Sequence, residues 1–248
     1  MLQSISLKIN LSIYKYMYSA IIIEPRRHKA LSFVLKNFLE NLSNEWNIIV
    51  FHGNLNIDYV NNIIDSDLSQ YKERISLINL KIDNMTRTEY SHFLMKNVDF
   101  YNLIPTETFL IFQTDTMIFS KNKDLINNFL KYDYVGAPWH WIPVNNQLVG
   151  NGGLSLRKKS KMLEVIEKSK TTYYSDEYCE DIFFCCNSNL SLYKPSKEEA
   201  KLFAVEYAFS EITFGCHQPW ILKNLLLPLY PEINELILLN DKQNYVRS

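Results

Sequence analysis

The chain has 248 residues, 47% of them hydrophobic, enough apolar mass for one large or two small α/β units. A formal net charge of -1 argues against broad electrostatic binding to nucleic acid. The four cysteines (Cys179, Cys185, Cys186, Cys216) lack metal-site spacing, which predicts free thiols in a reducing compartment.

Apolar stretches are interrupted well short of the ~18 residues that a membrane span requires. Residues 1–18 mix Gln, Lys, Asn and Tyr without the apolar core of a signal peptide, so a cytoplasmic protein is expected.

In chain order, Ser19 to Glu24 predicts a buried first strand, closed by Pro25. Leu31, Val34, Leu35, Phe38, Leu39 and Leu42 recur at helical spacing, predicting a helix over 29–42. Trp46 to His52 is a second strand ended by Gly53, Ile57 to Leu68 a helix, Arg74 to Leu80 a third strand, and Thr88 to Asn97 a helix. Phe109 to Phe112 then reads as a strand buried on both faces, as in a parallel sheet. Strands alternating with helices predict a doubly wound α/β fold.

The strand at Phe109 is interrupted by Gln113, Thr114 and Asp115 before Met117 to Phe119 resume the apolar pattern. In open α/β sheets ligands bind at the carboxyl ends of strands, where this triplet falls. Asp115 therefore either touches a ligand or caps the next turn.

Five of the six glycines lie between Gly136 and Gly215, three of them in Gly150-Asn-Gly-Gly153. That loop leads into a short strand and then a helix over 158–168. Its backbone N–H groups could reach a sugar or phosphate, although a tight turn needs the same glycines. Glu180-Asp181 open a short helix, where acids either suit the helix dipole or take a proton from a hydroxyl. Asp176 and Glu177 compete for that role. Trp139 and Trp141, with His140 between them, read either as a sugar-stacking wall or as core. His217 follows Gly215 and precedes Pro219-Trp220, open to a ligand role or a structural one. The apolar C-terminal stretches, Trp220 to Leu227 and Ile233 to Leu239, predict short helices packed on the domain, with membrane or partner docking as the alternative.

The order of these pieces is more specific than any one of them. Leu110-Ile-Phe-Gln-Thr-Asp115, Tyr134-Val-Gly-Ala-Pro-Trp139, Gly150-Asn-Gly-Gly-Leu-Ser-Leu-Arg157 and Glu180-Asp181 resemble a glycosyltransferase-like family of unknown function found in giant viruses and microbes. That family looks like a GT-A glycosyltransferase. The resemblance runs over most of the chain. It implies a single GT-A-like domain over 1–248, with a central, mostly parallel, Rossmann-like sheet flanked by helices. A nucleotide-sugar-binding half would span about 19–120, an acceptor and catalytic half about 121–220, and a C-terminal helical extension 221–248.

The resemblance also implies roles. GT-A enzymes hold a divalent metal, Mn²⁺ or Mg²⁺, with an Asp-x-Asp motif. Asp115 matches the second acid, while Gln113 stands in place of the first and brings no charge. His217 matches the late His that completes such metal sites. Glu24, Arg26, Gln113, Thr114, Asp115, Gly152 and Gly153 would meet the donor. Trp139, Trp141 and Asn151 would meet the acceptor or sugar. Asp181, with Glu180 as second choice, would deprotonate the acceptor hydroxyl and give inversion. The implied partners are a nucleotide sugar and a glycan or other hydroxyl acceptor. Gln113 keeps open a second reading, a non-catalytic sugar- or nucleotide-binding module on the same fold.

Overall fold

A computed structural model describes residues 16–140, 149–170, 179–186 and 190–245. Strands β1 (Tyr18–Ile23), β2 (Trp46–His52), β3 (Ile75–Asn79) and β4 (Thr108–Ile111) pair in parallel. Strands β6 (Tyr134–Gly136) and β7 (Ser155–Lys158) extend the sheet antiparallel, giving the order β3-β2-β1-β4-β7-β6. Helices α1 (Leu31–Asn41), α2 (Ile57–Ser66), α3 (Arg87–Lys96), α4 (Val98–Asn102) and α5 (Lys159–Lys168) flank it. The architecture is mixed α/β, with a mostly parallel core extended by antiparallel strands. No described helix is long and apolar enough to cross a membrane. All four cysteines are free.

The central strands are apolar on both faces because each face carries a core. Ala20 and Ile22 of β1, Ile48 and Val50 of β2, and Leu110 of β4 point into one cluster with α1. Ile21, Ile49, Phe51, Phe109 and Ile111 alternate into the other, with Leu94, Met95, Met162 and Val165 from α3 and α5. This period of two turns a continuous apolar run into two opposite faces. Helix α1 buries Leu31, Val34, Leu35, Phe38 and Leu39. Each such side chain contributes roughly 1.5–3 kcal/mol relative to an exposed one. Phe38 stacks on Phe112 with ring centroids 3.9 Å apart.

The polar triplet after β4 is a turn, and the strand that follows leaves the main sheet. The Thr116 hydroxyl donates to the Gln113 carbonyl (2.8 Å) and closes this turn. Strand β5 (Thr116–Ile118) then joins a second sheet, β5-β9-β8, with β8 (Ala204–Val205) and β9 (Gly215–His217). Thr116 is opposite His217, and Val205 is opposite Cys216.

Four further α-helices follow: α6 (Glu180–Cys185), α7 (Lys197–Phe203), α8 (Lys223–Leu226) and α9 (Ile233–Leu239). The C-terminal stretch packs on the domain through buried Trp220, Leu226, Ile233, Leu236 and Ile237. The Asn240 amide, just after α9, donates to the Thr114 carbonyl (3.0 Å).

Candidate functional site

Two directions of chain bring the site together. Strand β4 ends at the edge where Gln113–Asp115 turn. Because β7 runs antiparallel to β4, the loop entering β7 lies at that same edge, with Ile111 opposite Ser155. The Gly150–Gly153 loop therefore faces the Asp115 turn. The second sheet adds His217 from β9 and Glu206 from the end of β8.

His217 lies between two carboxylates. Its Nε2 is 3.4 Å from Asp115 Oδ2, and its Nδ1 is 3.2 Å from Glu206 Oε1. Among the described residues Asp115 Oδ1 and Glu206 Oε2 are buried without a hydrogen-bond partner. Burial disfavours the charged imidazole, but Asp115 and Glu206 outweigh it and hold its pKa well above the usual value. Burial would likewise raise the Asp115 carboxyl, but His217 more than offsets it and keeps that carboxyl below its usual range. The Asp115 backbone carbonyl accepts from the N–H of Gln218 (2.9 Å), which takes the left-handed conformation (φ 47°) unusual for a non-glycine residue.

The glycines of the loop make room for these side chains. A Cβ on Gly153 would sit 2.3 Å from His217 Nε2, and one on Gly152 would sit 2.2 Å from Glu180 Oε1. Asn151 braces the loop, its Oδ1 accepting from the Gly153 N–H (3.0 Å). Glu180 is held in turn by fully buried Arg157, whose Nη2 donates to Oε1 at 2.8 Å. Arg157 also donates to Ser155 Oγ (3.0 Å) and lies over the Tyr134 ring. Glu180 is thus committed to an ion pair that fixes the start of α6.

Asp181, the next residue, has a single hydrogen bond, from the Ile182 N–H to its Oδ1 (2.8 Å). Burial, with the neighbouring Glu180 charge, pushes its carboxyl pKa up to about 7. A carboxyl poised there can exchange a proton near neutrality.

Two adjoining cavities collect most of the expected residues. The larger, about 520 Å³, is lined by Gln113, Trp139, Asn151, Gly152, Gly153, Glu180, Asp181, Glu206 and His217. The smaller, about 290 Å³, is lined by Glu24, Arg26, Gln113, Thr114 and Asp115. Arg87, Tyr90 and Gln113 line both. Glu24 and Arg26 engage each other: Nε and Nη2 each lie 2.8 Å from a Glu24 carboxylate oxygen. Trp139 is only 4% exposed and belongs to the core, so most of its surface is already covered. The accessible aromatics beside it are His140 and Tyr207, with ring centroids 4.0 Å apart. Trp141, Asp176 and Glu177 lie outside the described residues.

Asp115 and His217 could hold a divalent cation, their facing atoms 3.4 Å apart and Asp115 Oδ1 without a partner, provided the cation displaces the imidazole proton that Asp115 and Glu206 stabilise. Glu206 faces the far side of the imidazole. Among the described residues no group of three or more His, Cys, Asp or Glu is placed to hold a metal ion. A cation here would draw its other ligands from substrate oxygens and water, as Mg²⁺ commonly does.

Residues 74–217 match a family described as a protein of unknown function (DUF5672). The chain belongs to that family. No curated protein matches the sequence. Two solved structures share the fold at 10% identity. One is an active-site mutant of LgtC, with a TM-score of 0.56, covering 94% of this chain and 98% of that one. The other is the apo form of the glycosyltransferase GlyE from Streptococcus pneumoniae TIGR4, with a TM-score of 0.54, covering 82% of this chain and 54% of that one. The chain spans about half the length of GlyE. The family is thus one of unknown function with a glycosyltransferase-like fold.

Several residues at the site of this DUF5672 member carry little sequence signal. Glu206 follows the two-residue strand β8, too short to show a period. Arg87 opens α3 as one of several charged residues on a polar segment. Tyr90 and Gln218 carry no sequence signal. Arg157 was read only as the end of a motif, and its complete burial follows from Glu180, 23 positions later.

Proposed function

We propose that the protein is a glycosyltransferase, moving a sugar from a nucleotide diphosphate donor to an acceptor hydroxyl with inversion at the anomeric carbon. One observation carries the reading. Asp181, its carboxyl pKa raised to about 7, lines the same cavity as His217, while Asp115, which faces His217, lines the adjoining one. That combination sets a proton acceptor beside a carboxylate–imidazole centre that a divalent cation would complete.

In this reading the nucleotide diphosphate occupies the smaller cavity, against Glu24, Arg26, Gln113, Thr114 and Asp115. The transferred sugar and the acceptor occupy the larger one, beside Gly152, Gly153, Asn151 and Trp139. Asp181 takes the proton of the acceptor hydroxyl as its oxygen attacks the anomeric carbon. Glu180, paired with Arg157, positions Asp181 and is not the base. Asp115 and His217 would hold Mn²⁺ or Mg²⁺, which when bound neutralises charge developing on the diphosphate. We read the chain as one domain, since residues of both halves contribute strands to the six-stranded sheet. Four free cysteines suit a reducing compartment.

A second reading, a non-catalytic nucleotide- or sugar-binding module, is favoured by Gln113 in place of an acid. A thermal-shift screen of nucleotide sugars with and without Mn²⁺, followed by product analysis, tests both. A ligand at about 100 times its dissociation constant stabilises the fold by roughly 2.7 kcal/mol. A shift with turnover supports the transferase, and a shift without turnover under any acceptor supports the module. No shift with any nucleotide sugar overturns both. A product that keeps the donor's anomeric configuration removes the base role of Asp181.

A further inference from the structure

The two cavities meet at Arg87, Tyr90 and Gln113. If the donor and acceptor divide between them as proposed, the bond from sugar to diphosphate lies at this junction. The charge lining the cavities is unevenly spent. Asp115, Asp181 and Glu206 bring negative charge, while Glu180 and Glu24 are neutralised by Arg157 and Arg26. Four cationic or protonatable basic side chains line the cavities among the described residues: Arg26, Arg87, His217, and His140, which packs on the Tyr207 ring. Arg26 is bidentate to Glu24, and His217 lies between Asp115 and Glu206.

Arg87 is different. It is exposed, and among the described residues its Nη2 donates to the Cys179 sulfur at 2.9 Å. Burial raises the Cys179 pKa, so the thiol stays protonated and brings no compensating charge. A neutral thiol is a weak acceptor, and four of the five guanidinium N–H donors remain for other use. The backbone beneath Arg87 is fixed by a capping box, with the Thr86 N–H donating to Glu89 (2.7 Å) and the Glu89 N–H to Thr86 Oγ1 (3.2 Å).

We infer that Arg87 grips the phosphate oxygens of a nucleoside diphosphate at the junction of the two cavities. This rests on the glycosyltransferase reading and deepens it. As the bond between the anomeric carbon and the β-phosphate oxygen breaks, its electron pair stays on that oxygen. The acceptor oxygen forms the new bond and its proton passes to Asp181. Arg87 donates charge-assisted hydrogen bonds to the departing diphosphate. Gln113 leaves any cation at Asp115 with one carboxylate fewer than an Asp-x-Asp pair, and the guanidinium adds positive charge beside it.

Titration calorimetry of the full chain with UDP, GDP, CDP and ADP, with the parent nucleosides, and with and without Mn²⁺ tests this. Arg87→Gln is expected to weaken nucleoside diphosphate binding about 10- to 100-fold, with nucleoside binding unchanged. Arg87→Lys, which keeps the charge but loses the fork, should fall between. Thermal melting of each variant checks the fold. Diphosphate binding by Arg87→Gln as tight as wild type overturns the inference and leaves the glycosyltransferase reading standing. Equal weakening toward nucleoside and diphosphate also overturns it, because that is loss of shape. A wild-type protein that binds none of the four diphosphates overturns both.

Discussion

Replacing Asp181 with Asn keeps the size of the side chain and removes only its charge and its basicity. The carboxyl pKa rises from 3.8 to about 7, first through burial and then through the Glu180 charge. At 1.36 kcal/mol per unit this bounds the cost of ionising it in the fold at about 4 kcal/mol. Asp181 is half-buried beside Glu180, and the two share the effect, so a cost on the order of 1–2 kcal/mol is the working figure. The sign follows from proton counting. Between pH 4 and 7 the unfolded chain has released this proton and the native one still holds it, so stability contributed by this group falls as pH rises through that window. Asp181→Asn escapes the penalty. Its melting temperature should match wild type near pH 4 and exceed it by a few degrees at pH 8. Activity moves the opposite way. Wild-type kcat/KM should rise with pH to a plateau, with a midpoint near 7. Loss of a general base lowers the rate about 10²- to 10⁴-fold. Melting curves and initial rates over pH 5–9 test both halves. Transfer by Asp181→Asn within a few-fold of wild type, or a flat wild-type profile between pH 6 and 8, refutes the base assignment.

Three other substitutions bear on the site. Gly153→Ala puts a methyl 2.3 Å from His217 Nε2, so it should displace the imidazole and abolish Mn²⁺-dependent donor binding while the protein still folds, as calorimetry and circular dichroism will show. Arg157→Met leaves Glu180 buried and unpaired, and breaking such a pair costs about 3–5 kcal/mol, readable in urea unfolding. Glu206→Gln removes the charge that orients His217 from behind. Loss of such an outer partner typically weakens metal binding about 10- to 100-fold, measurable by Mn²⁺ titration.

The β/α alternation of the first half was legible because buried parallel strands are continuous apolar runs, and Ser19 to Glu24 or Trp46 to His52 hardly admit another reading. Strand direction was not. Nothing in Leu154-Ser-Leu-Arg157 says that β7 runs against β4, yet that reversal brings the glycine loop to the Asp115 turn. Met117 to Phe119 looked like a resumed strand, and the turn at Thr116 sends it into a separate sheet with His217. The glycine loop was recognised as special. Its sequence could not show that Gly152 and Gly153 lie against Glu180 and His217, because those contacts join residues 28 or more positions apart. Glu206 stayed hidden for a similar reason. Its meaning comes from the imidazole that β9 places beside it.

The hydrogen bond from Asn240 to the Thr114 carbonyl spans 126 positions and ties α9 to the back of the Asp115 turn. The turn therefore has a brace that no substrate touches. If the smaller cavity takes the donor as proposed, Asn240→Ala should weaken donor binding from the far end of the polypeptide, leaving every cavity residue as it is.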